Sequence, residues 1–121
     1  MFIECNVNPH GKNMDDCLIR AITKATGKDY YDVMDGLIAV ADEHNWDIDE
    51  VRTGALYLKS IGWEPFEPSR RVTVNQFSKL VTDPRIVFVR GHATYCEGGD
   101  TFDTWNCNRY KVNYAFRKCN S

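Results

Sequence analysis

Ile86-Val87-Phe88-Val89 narrows the folds open to this chain more than any other segment, because an unbroken apolar run of strand length calls for cover on both faces. Such a strand belongs inside a sheet, with packed layers on either side. Asp83-Pro84 separates it from the preceding segment, and it leads into Arg90-Gly91-His92 and a stretch that reads as a hairpin through Trp105. Gly98-Gly99 suits a two-residue turn with positive φ, flanked by β-forming residues. In that register Glu97 faces Asp100 and His92 faces Trp105, so His92 and Asp103 share one face as diagonal neighbours. A three-residue turn would put them on opposite faces. Farther on, Tyr110, Val112, Tyr114 and Phe116 alternate with polar residues, the period of one more antiparallel strand.

The first half of the chain carries helical periods instead. Leu18, Ala21, Ile22 and Ala25 follow an Asp and precede Gly27, a helix pattern with both start and stop signals. A second helix is predicted from Asp29 through the stripe Tyr30, Val33, Met34, Leu37, Ile38 and Ala41, which reads as a core-facing surface rather than a substrate wall. Gly36 marks close packing there, and His44 suits the C-terminal end. A third helix begins near Asp47 or Asp49, uses Ile48, Val51, Ala55 and Leu58, and stops at Gly62. Trp63 to Pro68 reads as an extended crossover, since each proline pushes its predecessor out of the helical region. Thr73 and Gln76 then form a capping box for a short helix with Val74, Phe77 and Leu80 as its buried side. The expected class is α+β, one domain over residues 1–121: helices first, an antiparallel sheet second, and the Leu18 helix packed across that sheet.

Within this frame Cys17 falls in the first turn of its helix. Unpaired backbone N–H groups and the positive end of the helix dipole there favour a thiolate, the form a nucleophile needs. A small buried hydrophobe is nevertheless the commoner role of a cysteine, and Asp15 and Asp16 disfavour a thiolate unless their side chains turn away. What lifts Cys17 above its four fellow cysteines is a partner. The hairpin sets the His92 imidazole within reach of the Asp103 carboxylate, which can fix its tautomer and stabilise the imidazolium. Cys96 lies on the His92 face farther along the strand, while Trp105 and Cys107 read as packing residues, with the indole shielding the imidazole from water.

Asn8-Pro9-His10-Gly11-Lys12 leading to Asp16-Cys17-Leu18-Ile19-Arg20-Ala21, then Ala25-Thr26-Gly27-Lys28, Gly91-His92-Ala93 and Phe102-Asp103-Thr104-Trp105-Asn106-Cys107 together resemble small papain-like cysteine peptidase domains of phages and Gram-positive bacteria. The layout is also similar to bacteriocin-leader peptidases. The resemblance spans nearly the whole chain in the order Cys, His, Asp, and it implies a papain-like fold in which the nucleophile helix packs on the C-terminal sheet. It implies Cys17 as nucleophile, His92 as general base and then acid, and Asp103 as orienter, but no particular substrate; a peptide or protein substrate and no cofactor are what such a triad leads one to expect. Better-known relatives place a Gln six residues before the nucleophile to stabilise the oxyanion, and here that position is Gly11. Asn13 and Asn8 are the nearby amides able to donate beside the Cys17 backbone N–H. Two alternatives stand beside hydrolysis: a catalytically silent interaction module, for example a phage protein binding a host factor, and a transglutaminase-like acyltransferase.

Other classes are disfavoured. A net charge of −2 with scattered Lys and Arg gives no footprint for nucleic acid. Met1-Phe2-Ile3-Glu4-Cys5 lacks the basic region and apolar run of a signal peptide, and no segment approaches a membrane span, so a soluble, cytoplasmic protein is expected. Five irregularly spaced cysteines agree with a reducing compartment. Cys5, His10, His92, Cys96, Cys107 and Cys119 form no C-x-x-C or H-x-x-x-H knuckle, so no metal is expected.

Overall fold

The computed structural model describes residues 1–11, 16–66 and 68–119. In chain order the elements are β1 (Phe2–Glu4), α1 (Cys17–Thr26), α2 (Tyr30–His44), α3 (Val51–Ser60), β2 (Trp63–Pro65), α4 (Val74–Leu80), β3 (Arg85–Val89), β4 (His92–Glu97), β5 (Asp100–Asp103) and β6 (Tyr114–Lys118). Every residue of β3 is buried, and its alternate side chains serve two separate cores. Ile86 and Phe88 join Leu18, Ile22, Leu37, Leu58 and Phe116 on the side of α1, α2 and α3. Val87 and Val89 join Val74, Phe77, Cys96 and Ala115 on the side of α4. The apolar run is therefore covered on both faces, as its composition requires.

The sheet has six strands among the described residues, in the order β1-β5-β4-β3-β6-β2. The α+β class holds, but the sheet is mixed rather than antiparallel, because β1 runs parallel to β5. Three residues carry too short an alternation to announce a strand. The expected crossover after Gly62 likewise contributes an edge strand, β2, antiparallel to β6, with Pro65 at its end where a missing N–H is tolerated. The last strand starts only at Tyr114. Tyr110 and Val112 precede it, with the Val112 amide donating to the Val72 carbonyl.

Two local signals read as expected and two do not. Gly98 and Gly99, at φ of 62° and 86°, make the two-residue turn that pairs Glu97 with Asp100, Cys96 with Thr101 and Tyr95 with Phe102. The capping box of Thr73 and Gln76 is formed in both directions. Leu80, however, is 66% exposed rather than buried. Asp16 holds the N-cap position of α1 without capping it, its carboxylate being turned into the core. No helix among the described residues is long and apolar enough to cross a membrane.

Gly36 does mark a close approach: a Cβ placed there would stand 2.3 Å from Cε1 of the buried Tyr57 ring on α3. Gly36→Ala should therefore lower stability by about 1–3 kcal/mol, the cost of overpacking outweighing the gain of about 1 kcal/mol in helix propensity. Urea unfolding tests this. A midpoint at or above that of the parent would show that α2 and α3 separate freely at this crossing.

Candidate active site

Cys17 is the first residue of α1, and the acidic side chain before it is neutralised rather than left to face the sulfur. Asp16 is 6% exposed; its Oδ1 is paired with the Arg20 guanidinium one turn along. Its Oδ2 accepts from the Tyr30 hydroxyl at 2.6 Å and from Asn8 Nδ2 at 3.0 Å. Burial, then the neighbouring Asp16, pushes the Tyr30 phenol up to about 12, so it stays a donor. Arg20 continues the chain of charges: Nη2 lies 3.8 Å from Asp103 Oδ1 and 3.5 Å from Thr104 Oγ1. One buried cation thus ties α1 to the carboxylate at the end of β5.

On the sheet side, the hairpin register brings His92 and Asp103 to one face, and His92 Nε2 lies 2.5 Å from Asp103 Oδ2. Oδ1 of Asp103 also accepts the Thr104 backbone N–H at 2.7 Å, which fixes the carboxylate plane. Burial opposes charge on His92, yet hydrogen bonds to Asp103, Cys107 and Cys17 outweigh it and hold the imidazolium well above the ordinary histidine range. Burial likewise opposes charge on Asp103, and the hydrogen bond and charge of His92 overcome it, keeping the carboxyl below its usual range. The resting pair is imidazolium and carboxylate. Trp105 lies over the imidazole with ring centres 4.5 Å apart and is itself backed by Tyr110 at 5.5 Å.

Cys17 and His92 line one cleft of about 170 Å³, closed in by Leu18, Phe88, Val89 and Gly91 and bounded by Asp49 and Val51. Asp49 and Val51 also line a larger, mostly apolar groove of about 760 Å³ that runs past Ala55, Pro65, Tyr114 and Phe116. The cleft and the groove therefore meet at Asp49 and Val51, which both have on their walls.

Among the sequence candidates, Cys17, His92 and Asp103 come together. Asn13 lies outside the described residues. Asn8 is buried with its amide turned inward, Nδ2 donating to Asp16 and, at 3.3 Å, to the Tyr30 oxygen, so it buttresses the Asp16 cluster. Cys96 is wholly buried, and burial pushes its thiol up to about 12, which makes it inert. Cys107 departs from a simple packing role, since its sulfur lies within 4.8 Å of a His92 ring nitrogen and an Asp103 carboxylate oxygen. Sequence reasoning missed Arg20 and Tyr30 as members of the site. The Asp16–Arg20 spacing of one helical turn was the available signal for the first. No protein-family model, curated protein or solved structure matches this chain.

Proposed function

We propose that this chain is a papain-like cysteine peptidase domain that cleaves peptide bonds through Cys17, His92 and Asp103. The observation that carries this reading is the His92 ring, held by Asp103 through Nε2 at 2.5 Å on the wall of the cleft that it shares with Cys17 at the start of α1. With Nε2 committed, Nδ1 is the nitrogen that serves the sulfur. Cys17 Sγ adds to the substrate carbonyl carbon, and the resulting oxyanion is met by the backbone N–H groups that open α1. His92 gives its proton to the departing amine as the C–N bond breaks, leaving a thioester on Cys17. Water then adds to the thioester and passes a proton to His92. The C–S bond breaks, releasing the acid and restoring the thiolate and imidazolium. Asp103 keeps the ring oriented and balances its charge throughout.

The groove beyond Asp49 and Val51 supports a peptide rather than a small molecule as substrate, with apolar side chains seated against Pro65, Tyr114 and Phe116. A cytoplasmic peptide or protein substrate belongs to the same proposal. Limiting iodoacetamide, followed by mass-spectrometric mapping, should label Cys17 ahead of the more exposed Cys119. Fluorogenic peptides should be cleaved by the parent and by Cys17→Ala about 1000-fold more slowly or worse. Parallel reactions with a primary amine separate hydrolysis from acyl transfer. Cys119 labelled first, together with no turnover of any peptide, would remove the nucleophile and leave the interaction-module reading.

A further inference from the structure

Peptide hydrolysis has no use for a second thiol on the histidine, yet Cys107 supplies one. A donor atom from each of His92, Asp103 and Cys107 lies within 4.8 Å of the other two, and Cys107 is only 1% exposed. We propose that these three residues form a binding site for a divalent cation of the zinc type, held by one thiolate sulfur, one imidazole nitrogen and one carboxylate oxygen.

The donor set chooses the cation. A sulfur ligand beside an imidazole rejects calcium and magnesium, which require oxygen, and suits zinc in tetrahedral geometry. Ligands at about 2.0–2.3 Å from a tetrahedral zinc stand roughly 3.3–3.8 Å apart. Nε2 and Oδ2, 2.5 Å apart in the structure, therefore part by about 1 Å as the metal enters between them, and the Cys107 sulfur, within 4.8 Å of both residues, closes by about 1 Å at most. His92 is set by pairing with Val89 and Asp103 by pairing with Glu4, whereas Cys107 comes from the segment after β5, where its carbonyl accepts the Tyr110 amide and its side chain is packed in the α4-side core. The outer partners are also present. Asp103 Oδ1 is retained by the Thr104 amide and by Arg20, which leaves Oδ2 to turn towards a metal. Trp105, 40% exposed, is the only ring between His92 and solvent among the described aromatic contacts of His92.

Binding releases two protons to solvent: the one between His92 Nε2 and Asp103 Oδ2, and the thiol proton of Cys107. The metal and the His92–Asp103 hydrogen bond compete for Nε2, so the metal-loaded protein lacks the oriented base. That consequence rests on the peptidase reading; the binding itself does not.

The full chain should take up one equivalent of Co²⁺ and show a near-ultraviolet sulfur-to-cobalt charge-transfer band. Zn²⁺ should displace the cobalt and compete with a chromophoric chelator. Cys107→Ala should lose the band and bind Zn²⁺ about 10–100-fold more weakly, whereas Cys17→Ala should keep both properties. X-ray absorption of the zinc-loaded parent, which needs no variant to fold, should find one sulfur at about 2.3 Å. No uptake by the parent, a band that vanishes in Cys17→Ala and survives in Cys107→Ala, or a zinc shell with no sulfur or two would each overturn the site. Metal binding as described in a protein that cleaves no peptide would leave the site standing and remove the peptidase reading.

Discussion

Arg20→Met is expected to destabilise the protein by about 3–5 kcal/mol at pH 7, enough to consume a large part of the stability of a domain this size. Methionine keeps most of the side-chain stem that packs in the core, so the loss isolates the charge. Asp16 and Asp103, each 6% exposed, would then both face the interior without the cation they share. Adding Asp16→Asn to Arg20→Met should recover part of the loss, because Asp16 is the charge left without a counter-charge while Asp103 keeps that of His92. Urea unfolding of the single and double variants at pH 7 measures both effects. A loss under about 1 kcal/mol would show that the network contributes no more than an exposed ion pair.

The same network shows where the chain was legible and where it was not. His92 and Asp103 could be paired from sequence because the rule involved is local: two glycines select the turn, the turn sets the register, and the register decides which side chains share a face. Cys17 could be placed at a helix start for a similar reason, since the apolar period and Gly27 bracket the helix from both ends. Arg20 was different. Its pairing with Asp16 follows from helical spacing, but its approach to Asp103 depends on how α1 settles on the sheet, which no nearby residue announces. Cys107 was hidden for another reason. It lies beyond the end of β5, outside any period, and only the return of the chain brings its sulfur to His92. The buried side of Asp16 overrode its cap propensity in the same way: a guanidinium and a phenol in the core compete successfully with backbone N–H groups.

Asp103→Asn should change the shape of the stability profile against pH as well as its height. Asp103 has its folded pKa depressed, so its contribution is present above the unfolded carboxylate value near 4 and is lost as pH falls through the folded value. His92 has its folded pKa raised, so its contribution is complete below the unfolded value near 6.5 and is lost as pH rises through the folded one. Together they give the parent a plateau between roughly pH 4 and 6.5, with a decline on either side from this pair. In Asp103→Asn the imidazolium loses its counter-charge while Arg20 remains nearby, so the ring is held neutral. The variant should fall below the parent by about 3 kcal/mol on the plateau, and the two curves should converge as pH climbs into the alkaline range. Denaturant midpoints collected from pH 3 to 10 would trace both curves. Parallel curves, separated by a constant offset, would mean that Asp103 acts on stability through packing and hydrogen bonding alone, and that His92 is not its charged partner. Convergence on the alkaline side places the charge on His92, the state from which the proposed proton transfer to a leaving amine begins.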